Sequence, residues 1–177
     1  IPDYRTDLTT KRAEFITVGT NQAEVDLPNV HNVRLVNSAQ SGASPRTLTT
    51  MAVSGGDIVK FTTSGTTSVT GGTAALDSAA YVQSTTLFKN VYWTDGRQYK
   101  EYHPVTNEVV TFKCTSAGQM PNRCALIETW RGRIVLARSA DEPHNWFLSK
   151  KDEPNNWDFF PAVPGETDAV AGNNSPA

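Results

Sequence analysis

The chain has 177 residues, with 16 basic and 18 acidic side chains that give a formal net charge of −2. This near-neutrality, with Lys and Arg scattered along the sequence, argues against the basic stripe of a protein that grips nucleic acid through its phosphates. A hydrophobic content of 38% beside only 19% charged residues points to a surface of Thr, Ser, Asn and Gly, which suits β-structure.

Strands are predicted where runs rich in Val, Ile, Thr, Tyr, Phe and Trp are bounded by turn residues. In chain order they fall at 14–18, 32–37, 47–53, 58–63, 66–70, 85–89, 91–94, 98–102, 108–113, 125–129, 133–138, 145–149 and 156–160. Helical periodicity is nearly absent. The best helical candidate, 73–82 with Ala74, Ala75, Leu76, Ala79 and Ala80, offers about two turns at most.

The turns carry their own reasons. Thr94-Asp95-Gly96-Arg97 places Asp-Gly between aromatic-rich runs and predicts a two-residue type I′ hairpin. His103 to Asn107 supplies a longer turn begun by Pro104, and Ser64-Gly65 and Arg131-Gly132 mark two more. Strands joined by such short loops form antiparallel meanders. No apolar run approaches the roughly 18 to 20 residues of a membrane span, and no basic-then-apolar leader pattern opens the chain. The start at Ile1 and the loop-like ending Gly172 to Ala177 read as a piece of a longer protein.

Self-comparison finds a weak period. Gly56 to Phe61, followed by 66–71, has the layout of Gly96 to Tyr102 followed by 108–113. A third copy runs from Asn145 to Ser149 and on to 156–160. A unit of roughly 40 to 50 residues with four short antiparallel strands is the blade of a β-propeller. The fold class expected is therefore all-β: meander sheets forming about three propeller-like blades, part of a larger propeller. The division expected is an N-terminal arm or first strands at 1–40, blades at 41–163, and a loop at 164–177 leading into further chain.

The run Leu126-Ile127-Glu128-Thr129-Trp130-Arg131-Gly132-Arg133-Ile134-Val135-Leu136-Ala137, then Asp141 to Ser149, then Pro154-Asn155-Asn156-Trp157-Asp158-Phe159, resembles propeller segments of tailed-phage virion proteins. The members it resembles are tail nozzle and head-to-tail connector proteins of short-tailed phages, and the likeness covers roughly 87–177. It implies a structural, non-enzymatic virion component in a tail or neck, a cyclic homo-oligomer that contacts its own copies and neighbouring virion proteins. The motifs concerned are architectural. Were such an oligomer to surround a DNA passage, slight acidity would suit a lumen that repels phosphate. A shorter match competes: Tyr92-Trp93-Thr94-Asp95 is similar to the tetrapeptide of six-bladed lipoprotein-receptor-like propellers, although here it occurs once.

Few residues point to chemistry. His31, His103 and His144 lie far apart beside turn signals, and a solvated or turn-capping role is the ordinary reading. Cys114 and Cys124 lack the partners of a zinc site and are read as two free thiols or one bridge. No phosphate-cradling or nucleophile-elbow motif occurs, so no cofactor, metal or catalytic residue is expected. The carboxylates Asp141, Glu142, Asp152, Glu153 and Asp158 would matter to a glycoside hydrolase only as a pair across a cleft; beside Pro143 and Pro154 they read as exposed loop acids. Aromatic residues are expected mainly between blades. The contact residues expected are Trp130, Arg131, Trp146 and Trp157, with Trp130 at a hairpin tip the foremost. Their alternative role is a carbohydrate- or receptor-binding platform.

Overall fold

The computed structural model describes residues 49–62, 65–78 and 80–174, with the backbone of four earlier strands; side chains are described for 50–60, 66–78 and 80–174. These residues are all-β, with no helix among them. Four antiparallel meanders follow one another along the chain. The first has β1 (Tyr4–Asp7), β2 (Arg12–Phe15) and β3 (Ala23–Asp26). The second has β4 (Val30–Val36), β5 (Thr49–Ser54), β6 (Asp57–Thr62) and β7 (Gly65–Ser68). The third has β8 (Gln83–Leu87), β9 (Asn90–Thr94), β10 (Tyr99–His103) and β11 (Glu108–Thr111). The fourth has β12 (Cys124–Trp130), β13 (Arg133–Ser139), β14 (Asn145–Leu148) and β15 (Val170–Asn173).

The period found in the sequence is that of the sheets, because its three copies place β6, β10 and β14 as the third strand of each. The fourth-strand position of the last copy is corrected. Residues 156–160 form no strand: Trp157 makes one parallel bridge to Gly118, and the Asp158 carboxylate then accepts the Phe160 N–H at 3.1 Å and turns the chain before Pro161. The fourth strand is β15, inside the 164–177 segment expected to be a loop. Val-Ala-Gly-Asn has little intrinsic strand preference, and the strand is held by pairing with β14 from Leu148↔Val170 to Asn145↔Asn173. The boundary at 40 is also corrected, since β4 lies before it yet pairs with β5. Residues 73–78 and 80–82 are turns and bends, not the short helix considered. The turn at 63–64 and the side chain of His31 lie outside the described residues.

Two apolar layers join the sheets. Met51, Val53 and Ile58 of the second sheet meet Val91, Trp93, Tyr102 and Val109 of the third. Leu87, Tyr92, Tyr99 and Phe112 of the third meet Cys124, Ile127, Ile134 and Leu136 of the fourth, with Trp157. Strand β9 is thus buried on both faces and reads as Val-Tyr-Trp-Thr, a nearly continuous apolar run. Of the aromatic residues, Tyr92, Trp93, Tyr99, Tyr102 and Trp157 lie in these layers, whereas Trp130 and Phe160 are exposed.

A glycine-dependent latch between neighbouring sheets occurs twice. After β7, the Val109 N–H donates to Thr70 O at 2.8 Å and Thr70 bridges Glu108 in parallel; after β11, the Trp157 N–H donates to Ala117 O at 2.8 Å and Gly118 bridges Trp157. At both latches a glycine with positive φ, Gly71 (+71°) and Gly118 (+81°), brings its Cα against the partner backbone, closer than any real Cβ would allow. Residues 156–160 therefore carry the latch of the fourth sheet without being its fourth strand.

Candidate functional site

Hairpin chemistry sets what one end of the molecule presents. Register pairs Leu87↔Asn90 and Trp130↔Arg133, so Phe88-Lys89 and Arg131-Gly132 are two-residue turns. Their φ values (+48°, +77° and +47°, +78°) are those of type I′. Arg131-Gly132 was predicted as a turn; Phe88-Lys89 has neither Gly nor Asn and gave no turn signal. Asp95-Gly96 is corrected. Register pairs Thr94↔Tyr99, and the intervening loop 95–98 is closed by Asp95 Oδ1, which accepts the N–H groups of Arg97 and Gln98 at 2.8 Å each.

Strands β8 and β12 run side by side in the same direction. The Ile127 N–H donates to Gln83 Oε1 (3.3 Å), Thr85 Oγ1 donates to Glu128 Oε1 (2.8 Å), and Thr129 Oγ1 donates to Thr86 O (3.1 Å). The tips Phe88 and Trp130 therefore share one end, 53% and 52% exposed. The Arg131 guanidinium lies over the Trp130 ring, 4.8 Å from its centroid, which fixes both groups at the tip.

At the opposite end of β12 and β13, where Cys124 pairs with Ser139, lies a cleft of about 510 Å³. Its apolar wall includes Met120, Phe147, Phe159 and Phe160, and its acids are Asp141, Glu142 and Asp158; no Lys, Arg or His among the described residues lines it. Phe147 and Phe159 pack with ring centroids 5.9 Å apart, and Phe160 is 92% exposed at the rim. Glu142 accepts from the Asn145 amide, and Asp158 caps Phe160. Of the five loop acids, Asp152 sits against Gly132 and Glu153 pairs with Lys150 at 2.7 Å, so neither belongs to the cleft.

A second cavity, about 500 Å³, is lined by Glu101, His103, Lys113 and Asn155 among others. Glu101 is buried and accepts from the Asn90 amide at 2.8 Å, with His103 Nε2 3.6 Å away. Burial, followed by the Glu101 charge, pushes the Tyr92 hydroxyl well above the usual tyrosine range. His103 thus belongs to a polar network across β9 and β10 of the third sheet as well as to a turn, whereas His144 is exposed and its carbonyl accepts from the Asn174 N–H at 3.1 Å.

Trp130 and Arg131 are exposed at a tip. Trp146 is half-buried on β14, its ring lying against Gly172 of β15. Trp157, expected as a contact residue, is corrected: it is fully buried in the layer between the last two sheets, and its indole Nε1 has no partner among the described residues. Sequence reasoning missed Arg133. Its buried guanidinium donates to Ser149 O (2.8 Å), Asp168 O (2.5 Å) and Glu166 O (3.2 Å), tying both ends of the long β14–β15 loop together. Both cysteines are free, and burial pushes the Cys124 thiol up. No group of three His, Cys, Asp or Glu side chains among the described residues is placed to hold a metal ion.

No family model, curated protein or solved structure matches the chain. No helix among the described residues is long and apolar enough to cross a membrane.

Proposed function

We infer that the chain is a structural, non-catalytic module of a phage virion protein of the tail nozzle or head-to-tail connector type, built of propeller blades and assembled into a homo-oligomer. Two things support this reading: the resemblance carried by 126–159, and a face of the last sheet that no other described residues cover. The second carries the assembly argument. The third sheet is covered on both faces, whereas among the described residues the fourth packs through one, with Cys124, Ile127, Ile134, Leu136 and Phe147. Its other face is set by register as Leu126, Ala137, Trp146 and Gly172 in one row and Glu128, Val135, Leu148 and Val170 in the next. Leu126 is 38% and Val170 43% exposed. A sheet face so apolar is completed by another sheet, from a longer chain or a second copy.

Light scattering at several concentrations, with electron microscopy of what elutes, tests the reading on this chain and on a longer parent. Rings from the parent are expected. A parent that stays monomeric at every concentration would overturn the assembly.

The second reading, a carbohydrate- or receptor-binding module, is favoured by the two exposed aromatic residues at one end, Phe88 and Trp130. A glycan array on the same chain separates the two, because binding abolished by Trp130→Ala would favour the second.

A further inference from the structure

Two features at opposite ends of the last sheet complement each other in shape and charge. The β12–β13 tip is a knob: an exposed Trp130 ring carrying the Arg131 guanidinium 4.8 Å from its centroid. No ion pair joins Arg131 to a carboxylate among the described residues. The cleft at the other end is a socket, walled by phenylalanines and three carboxylates with no basic residue among the described ones to balance them. A planar guanidinium with five donors suits clustered carboxylates and stacks on aromatic rings. The Asp141 carboxylate, which takes part in no hydrogen bond or ion pair among the described residues, is the free acceptor of the three.

A chain cannot fill its own socket. Strand β13 runs from the tip at Arg133 to the cleft at Ser139, and at about 3.3 Å per residue this holds knob and socket roughly 20 Å apart on one rigid sheet. We propose that the Trp130-Arg131 tip of one copy seats in the Asp141/Glu142/Asp158 cleft of the next, a head-to-tail contact between copies of this chain. Such an interface is heterologous and propagates along the strand direction, closing into a ring or stacking according to the rotation it imposes. Phe160 at the rim meets the incoming indole. The proposal rests on the assembly reading and assigns it a specific contact.

The test is a charge swap on the whole chain, read as the association constant from sedimentation and light scattering. Arg131→Glu and Asp141→Arg are each expected to weaken association by about tenfold or more. The double variant, which restores opposite charges across the contact, is expected to recover it to within about threefold. The two substitutions lie at opposite ends of the sheet, and near-UV circular dichroism checks each fold, so misfolding of one variant leaves the other decisive. Native association unchanged by either substitution would overturn this contact and leave assembly standing through another surface. A native chain and parent that never associate would overturn both.

Discussion

The Tyr99 hydroxyl accepts the Cys124 N–H at 2.6 Å and donates to Pro121 O at 3.0 Å. One buried side chain of β10 thereby fixes where the next sheet begins, and Thr94 Oγ1 adds a bond to Cys124 O at 2.6 Å from β9. These atoms are removed from water, so each hydrogen bond prevents a desolvated backbone group from being left unpaired.

Tyr99→Phe keeps the ring and removes both bonds. It is expected to destabilise the chain by about 1–3 kcal/mol, read as a lower urea midpoint at unchanged slope. A loss below about 0.5 kcal/mol would mean that water replaces the hydroxyl.

The repeated latch predicts matched costs at two distant positions. Gly71→Ala and Gly118→Ala each place a methyl group against the neighbouring backbone at positive φ, and each is expected to cost more than about 1 kcal/mol. Gly55→Ala, at φ +57° with nothing within 4 Å, isolates the backbone penalty alone and is expected to cost less. Denaturant melts of the three variants check the order.

The Phe88-Lys89 turn holds two ordinary residues at positive φ. Lys89→Gly relieves one of them and is expected to stabilise by about 0.5–1 kcal/mol. Thermal denaturation should show a higher midpoint.

Asp95 gives the fold an acid-labile joint. Burial opposes its ionisation, but hydrogen bonds from the backbone N–H groups of Asp77, Gln98 and Arg97 and from the Gln98 side chain outweigh burial and hold its carboxyl below the usual range. A depressed folded-state value contributes stability that is present above the ordinary Asp value of about 3.9 and lost as pH falls through the folded value. Asp95→Asn is expected to lower stability at pH 7 by about 1–2 kcal/mol and to flatten the acid limb of stability against pH. Urea melts between pH 2 and 7 check both, and an unchanged acid limb would assign the titration to another group.

Where local pattern and local chemistry agreed, structure was legible beforehand. The runs Val91 to Thr94, Ala125 to Thr129 and Arg133 to Arg138 carry branched and aromatic residues between turn signals, and each is a strand close to its expected bounds. The Arg131-Gly132 turn and the exposed Trp130 were legible for the same reason. Asp95-Gly96 misled because the Asp side chain captures two backbone N–H groups and stabilises a longer loop. Trp157 misled because an aromatic residue between turn signals looks alike whether it faces solvent or a neighbouring sheet.

Branched and aromatic runs, turn residues and the repeat of roughly 40 to 50 residues by themselves determined an all-β chain of repeated meanders, because strand composition and hairpin chemistry are local properties. Only the tertiary structure decided that Val170 to Asn173 is the fourth strand of the last sheet, and that Asp141, Glu142 and Asp158 share one cleft opposite the Trp130 tip. Those outcomes depend on pairing and packing between residues distant in sequence, whose energies no local pattern records.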